Sequence, residues 1–271
     1  MDDRRLAFLL DERVLRVEGD DARPWLQGQI TSDIHREAPG TSTYGLVLVG
    51  TGQVLADVWV LDLGDTFLVR SASAVFDDLV ARLDRYVVME DVELEPTSLS
   101  VVHVVGDGLE LGDGATVTDR VGRPGVDLLV EDASATLAEL EAAGFERGDE
   151  ATFEALRIAA ARPRLGRDFG LNTLPQEAGL IGAVSFTKGC YFGQEPVVML
   201  RDRGKPPKRL VHVVLDATAS PGTAVTREGA EVGTLTSVAG TEGLALVKRR
   251  ALEAGDLRIA GVEPRAIRVI E

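Results

Sequence analysis

The only cysteine of this chain stands in Lys188-Gly189-Cys190-Tyr191-Phe192-Gly193-Gln194-Glu195. A single thiol can neither close an internal disulfide nor build an all-cysteine zinc site, so its chemistry is its own reactivity or a ligand shared with another molecule. Glycines close to it on both sides favour a turn over a regular element. Lys188 gives a thiolate here a cationic neighbour, while a buried, inert cysteine is the common alternative; spacing alone leaves the two open. Glu177 lies in Leu174-Pro175-Gln176-Glu177-Ala178-Gly179-Leu180. An acid there either meets the free amides of a helix start or accepts donors from a ligand. His35, His103 and His212 fall on different expected elements, so neither a metal site nor a nucleophile triad is suggested, and each reads as structural. No Gly-x-Ser-x-Gly elbow, phosphate-binding loop or dinucleotide fingerprint occurs.

The elements that must position these groups follow from periodicity. Val14 to Val17 alternates as a strand, and Asp20 or Asp21 can cap a helix carrying Pro24 in its first turn and turning Trp25, Leu26 and Ile30 inward. Tyr44 to Val49, Gln53 to Leu61 and Thr66 to Val69, separated by glycine turns, predict a three-stranded antiparallel meander. Val75, Leu79, Leu83 and Tyr86 recur as one stripe of a helix laid on it. Leu99 to Val105 and Val126 to Val130 read as strands, Asp132 to Ala143 as a helix capped by its aspartate and stopped at Gly144, and Glu150 to about Ala161 as a helix ended by Pro163. Arg157 on that last helix reads as paired with a neighbouring acid at the surface. Beyond Pro206-Pro207 the helical period disappears, and Leu210 to Leu215, Gly222 to Val225, Val232 to Val238, Leu244 to Val247 and Leu257 to Val269 suggest short strands of a small barrel.

With 271 residues, 45% of them hydrophobic, two or three subdomains with real cores are expected. No apolar run nears the roughly 18 residues of a membrane helix. Met1-Asp2-Asp3-Arg4-Arg5 lacks the start of a signal peptide, and the lone cysteine suits a reducing compartment, so the expectation is a cytoplasmic protein without membrane contact. A net charge of -15 opposes non-specific binding to nucleic acid or anionic lipid. Charge is uneven, though: Lys188, Arg201, Arg203, Lys205, Lys208 and Arg209 face only Glu195 and Asp202 between residues 188 and 209, a solvated basic loop or an anion-binding one.

The cysteine octapeptide, with Leu174 to Leu180 and Val184-Ser185-Phe186-Thr187 before it, resembles the signature of the YgfZ family of folate-binding proteins, relatives of the glycine-cleavage T-protein. Trp25-Leu26-Gln27-Gly28-Gln29-Ile30-Thr31-Ser32-Asp33, the segment from Gly50 to Pro96, Arg157-Ile158-Ala159-Ala160, Gly166-Arg167-Asp168 and Gly233-Thr234-Leu235-Thr236-Ser237 are similar to other blocks of that family. The likeness is weakest between about residues 97 and 148. It implies an α+β fold of the aminomethyltransferase type: residues 1–96 as an N-terminal folate-binding α+β subdomain, 97–205 as a second with the cysteine motif, the two interleaved, and 206–271 as a C-terminal β-barrel, around a folate-sized cavity.

The resemblance further implies a tetrahydrofolate-binding accessory protein for iron-sulfur cluster assembly or repair, with radical tRNA-modifying enzymes among its clients. Direct tRNA binding through the basic 188–209 stretch is a separate, weaker reading, because the net charge opposes it. The resemblance gives Cys190 the thiol chemistry and Glu177 the amino group and ring N-H of the pterin. Lys188, Tyr191, Gln194, Glu195, Asp57 and Arg157 are further candidates for the folate, and no resident metal is implied. T-proteins carry adjacent aspartates on the hairpin where this chain has Val54-Leu55-Ala56-Asp57. One of the pair is alanine, which ranks folate-dependent aminomethyl transfer second.

Overall fold

A computed structural model describes residues 4–36, 39–106 and 115–270, without the side chains of Arg36 and Arg203; the Met1-Asp2-Asp3 start lies outside them. Contacts group the chain into two compact units. The first joins residues 1–48, 55–150 and 185–192; the second joins 49–54, 151–184 and 193–271.

The first unit holds two five-stranded sheets. One runs in the order Ser42–Leu48, Val54–Asp62, Thr66–Ala72, Glu12–Glu18, Glu93–Pro96, and contains the predicted meander. Along Val54–Asp62 the side chains alternate, with Ala56, Val58 and Val60 buried and Asp57 and Trp59 half-buried. Period-two alternation puts the two sets on opposite faces. On the apolar face lie helix Ala22–Gln29, through Trp25 and Leu26 followed by Ile30, and helix Ser73–Asp84, through Phe76, Leu79 and Leu83. Asp21 precedes the first helix without capping it through its side chain; its carboxylate instead accepts the Asp91 amide at 2.9 Å.

The other sheet runs Glu146–Arg147, Leu6–Leu10, Ser100–Val105, Gly125–Val130, Ala115–Thr118. Helix Ala133–Ala142 packs on it through Leu137. Its predicted cap is present, Asp132 Oδ1 accepting from the amides of Ser134 and Ala135 at 3.0 Å. Gly144 follows with φ +89°, the left-handed stop that glycine takes without strain.

In the second unit, Lys208–Val214, Ala224–Arg227, Ala230–Ala239, Glu242–Lys248, Arg258–Ile259 and Ala266–Val269 form one sheet, ordered Arg258–Ile259, Ala224–Arg227, Ala230–Ala239, Glu242–Lys248, Lys208–Val214, Ala266–Val269. Val211, Val213, Val225, Leu235, Ala245 and Val247 fill its core. Two helices depart from the sequence reading. Arg249–Ala254, too short to display a period, interrupts the strands, and Gln194–Arg203 occupies the stretch read as a loop. Pro196 does not oppose the latter, because it falls in the first turn, where its missing N-H is no loss.

Candidate functional site

Cys190 is exposed, which removes the buried, inert alternative. It sits in irregular backbone, as its glycines suggest, on a loop docked against the end of helix Ala22–Gln29. The last carbonyls of a helix lack intrahelical donors. Here the loop provides them. The Phe192 amide donates to Gly28 O at 3.0 Å and the Ser185 amide to Thr31 O at 2.9 Å. Lys188 Nζ donates to the carbonyls of Gln27, Ile30 and Ser32 at 2.5, 2.9 and 2.6 Å. The ammonium that the sequence sets beside the thiol is thus taken up, all three N-H groups, by backbone oxygens. Burial pushes it down to about 8 while Asp33 pulls it up, and it stays charged at neutral pH. The buried Tyr191 ring lies 5.4 Å from it. Phe192 packs edge-on against Tyr86 at 4.8 Å, with the Arg82 guanidinium about 4 Å from both rings.

Asp57 occupies the polar face of the meander. Tyr44 Oη donates to its Oδ2 at 3.0 Å, and the Tyr44 ring lies 4.9 Å from Trp59. Burial, then Glu12, raise the Asp57 carboxyl to about 6 against the opposing pull of Tyr44 and Arg120. Arg120 forks onto Glu12 at 2.7 and 3.0 Å and turns its Nε to Asp127 at 2.8 Å. Asp127 is wholly buried and also meets Arg70 Nη1 and His103 Nδ1, each at 2.7 Å. Burial alone would raise Asp127; Arg120, His103 and Arg70 outweigh it and hold the carboxyl far below its usual range. His103 therefore serves a structural network, in keeping with its sequence reading.

In the second unit Glu177 is 5% exposed, on the short helix Pro175–Ala178. Its Oε2 accepts the Leu174 amide at 3.0 Å, so one oxygen performs the helix-start role. Among the described residues nothing donates to Oε1. Gln176 Nε2 donates to Val197 O at 2.7 Å, tying this turn to helix Gln194–Arg203. That helix begins after Gly193, whose φ of +78° explains the second glycine of the motif. Gln194 and Glu195 line a groove of about 330 Å³ with Val198, Met199 and Asp202. Of the basic run, Arg201 is neutralised by Asp202 at 2.6 Å.

Arg157 corrects the sequence reading: it is 1% exposed, not a surface ion pair. All five N-H groups are used, on Glu154 (3.1 and 2.5 Å), Arg162 O (3.3 Å), Asp168 (2.5 Å) and Ser237 (2.6 Å). Asp168 Oδ1 also accepts from Thr236 Oγ1 and Ser237 Oγ, at 2.5 and 2.7 Å. Successive strand residues normally face opposite ways. The register shift between Leu235 and Ser237 lets both hydroxyls reach one carboxylate.

Asp57, Lys188, Cys190 and Tyr191 thus belong to one unit, and Glu177, Gln194, Glu195 and Arg157 to the other. Sequence reasoning missed Tyr44, Glu12 and Arg120 around Asp57. Tyr44 had a signal, since it lies on the strand Ser42–Leu48, the sheet neighbour of the strand that carries Asp57; Arg120 and Glu12 join only through the tertiary fold. Among the described residues no three His, Cys, Asp or Glu side chains converge as a metal site requires, and no helix is long and apolar enough to cross a membrane.

Comparison with known proteins brings two domain models onto this chain: the GCVT N-terminal domain over residues 11–107, and the CAF17 C-terminal beta-barrel domain over 208–269. The mitochondrial iron-sulfur cluster assembly factor IBA57 of Homo sapiens is 30% identical over 94% of this chain and 81% of its own length. The tRNA-modifying protein YgfZ of Vibrio atlanticus is 30% identical over 73% of this chain, which spans 66% of that protein. The crystal structure of glycine cleavage system aminomethyltransferase T from Bartonella henselae superposes with a TM-score of 0.85 at 19% identity, covering 99% of this chain and 85% of that one, and so shares the fold.

Proposed function

The chain belongs to the YgfZ/IBA57 family, and from that membership we propose that it is a cytoplasmic tetrahydrofolate-binding accessory protein that helps to assemble or repair iron-sulfur clusters in client enzymes, tRNA-modifying radical enzymes among them. The observation that carries this reading is Cys190, exposed on a loop fastened on both sides. A lone thiolate supplies one of the four ligands a cluster usually takes, so the cluster is shared with the client or held in passing. Direct tRNA binding is the weaker partner, given the net charge of -15 and the pairing of Arg201.

Glu177 fits the folate. Its carboxylate is buried and fixed through one oxygen, and the other is left to accept from the pterin amino group and ring N-H. When bound, tetrahydrofolate supplies the nitrogen atoms that carry a one-carbon unit. A second reading, folate-dependent aminomethyl transfer, draws on Asp57, whose carboxyl near 6 beside Tyr44 is poised for proton exchange. Against it stands Ala56, which points into the apolar core.

Calorimetric titration with tetrahydrofolate, with aminomethyl transfer measured on the same sample, separates the two. Binding without turnover is expected, and Glu177→Gln should weaken it about tenfold or more, because one acceptor facing a donor becomes a donor, a loss of roughly 1.5 to 3 kcal/mol. Unchanged affinity in the folded variant removes Glu177 from the site. Robust turnover replaces the accessory reading with the transferase.

A further inference from the structure

We propose that Lys188 is a positioning residue for Cys190: its ammonium latches the loop of residues 185–192 onto the end of helix Ala22–Gln29 and holds the thiol in place, instead of promoting its ionisation by charge. The inference rests on the reading of Cys190 as the working thiol.

An ammonium has three donors, and those of Lys188 meet three carbonyl oxygens at 2.5 to 2.9 Å. None remains for a sulfur atom or a ligand. Those oxygens lie at and just beyond a helix C-terminus, where the aligned peptides concentrate about half a negative charge. They offset the field of the ammonium toward anything else nearby. The latch does not act alone. Ser185 and Phe192 donate their amides to Thr31 and Gly28, and the Phe192 ring is gripped by Tyr86 and Arg82. Cys190 is therefore exposed midway between two fastened positions, Lys188 and Phe192, each two residues away. A thiol that must meet a group on another macromolecule gains from being both exposed and already ordered, since that ordering is not lost again on encounter.

The test compares Lys188→Met and Lys188→Arg in the full chain. Hydrogen exchange should show the Ser185 and Phe192 amides losing about tenfold or more of their protection in Lys188→Met, as the removal of charge-assisted hydrogen bonds implies. Lys188→Arg should fall between, because a planar fork reaches some but not all of three converging carbonyls. The pH midpoint of Cys190 alkylation by iodoacetamide should stay where it is in both variants, while support of cluster-dependent clients drops in Lys188→Met and partly returns in Lys188→Arg. A midpoint raised by Met and restored by Arg overturns the proposal in favour of charge activation, and unaltered exchange protection overturns it outright. If Lys188→Met does not fold, the exchange and alkylation arms are read from Lys188→Arg. Full client support by Cys190→Ser would instead remove the underlying reading of the thiol, leaving the exchange result to report on the latch separately.

Discussion

Replacing Asp57 by asparagine should stabilise the protein at neutral pH and not at acid pH. The carboxyl is raised from 3.8 to about 6, chiefly by burial and then by Glu12. A group whose folded value lies above its unfolded one contributes stability below the unfolded value and loses it as the pH rises through the folded one. For Asp57 that window runs from about 4 to about 6, and above it the ionised carboxylate is a net cost. Raising a carboxyl by one pH unit costs its ionised form about 1.4 kcal/mol, so a rise of this size amounts to about 2 to 3 kcal/mol. Asparagine keeps the shape and an oxygen able to accept from Tyr44 Oη, while removing the charge that Glu12 repels. At about 2 to 4 °C per kcal/mol for a chain of this size, the melting temperature at pH 8 should rise by about 4 to 12 °C, and the gain should vanish by about pH 4. Differential scanning calorimetry of both proteins across that range measures it. A gain independent of pH, or a variant less stable than wild type at pH 8, would refute the argument. A residue kept ionisable at such cost is what a ligand-facing or proton-handling role selects, so the same variant should bind tetrahydrofolate less well while melting later.

Two further outcomes are expected. Cys190→Ser, an exposed substitution, should change stability by no more than about 0.5 kcal/mol yet lose client support; thermal melts and complementation of a deletion strain check this, and full complementation would return the residue to a structural role. Ala56→Asp restores the acidic pair of T-proteins in sequence but drives a carboxylate into the apolar core that holds Val58, Val60 and Leu26, which should cost about 3 kcal/mol or more in urea unfolding and confer no aminomethyl transfer. An undiminished urea midpoint would show that position 56 does not face that core.

What the sequence revealed, and what it concealed, divides along the range of the interactions. Alternation from Val54 to Leu61 disclosed the meander, and Asp132 with Gly144 marked both ends of a helix, because each signal is complete within a few residues of its element. Helix Gln194–Arg203 escaped because Val197, Val198, Met199 and Leu200 are consecutive and encircle the helix instead of marking one face. Arg157 looked like a surface residue because two of its partners, Asp168 and Ser237, lie 11 and 80 residues further on. The same limit applied at the cysteine motif, with a larger consequence. Lys188, read beside its sequence neighbour, is a cation next to a thiol; read in the fold, it closes the end of a helix some 160 residues earlier. Two of the family-like stretches, Trp25 to Asp33 and the part of the cysteine motif from Lys188 to Phe192, therefore act largely as a single structural object: the first supplies the carbonyls, the second the donors. A change in either block acts on the thiol through the other. Substitutions that reshape residues 27–32 should disturb Cys190 without touching it, by removing the surface on which its loop is fastened.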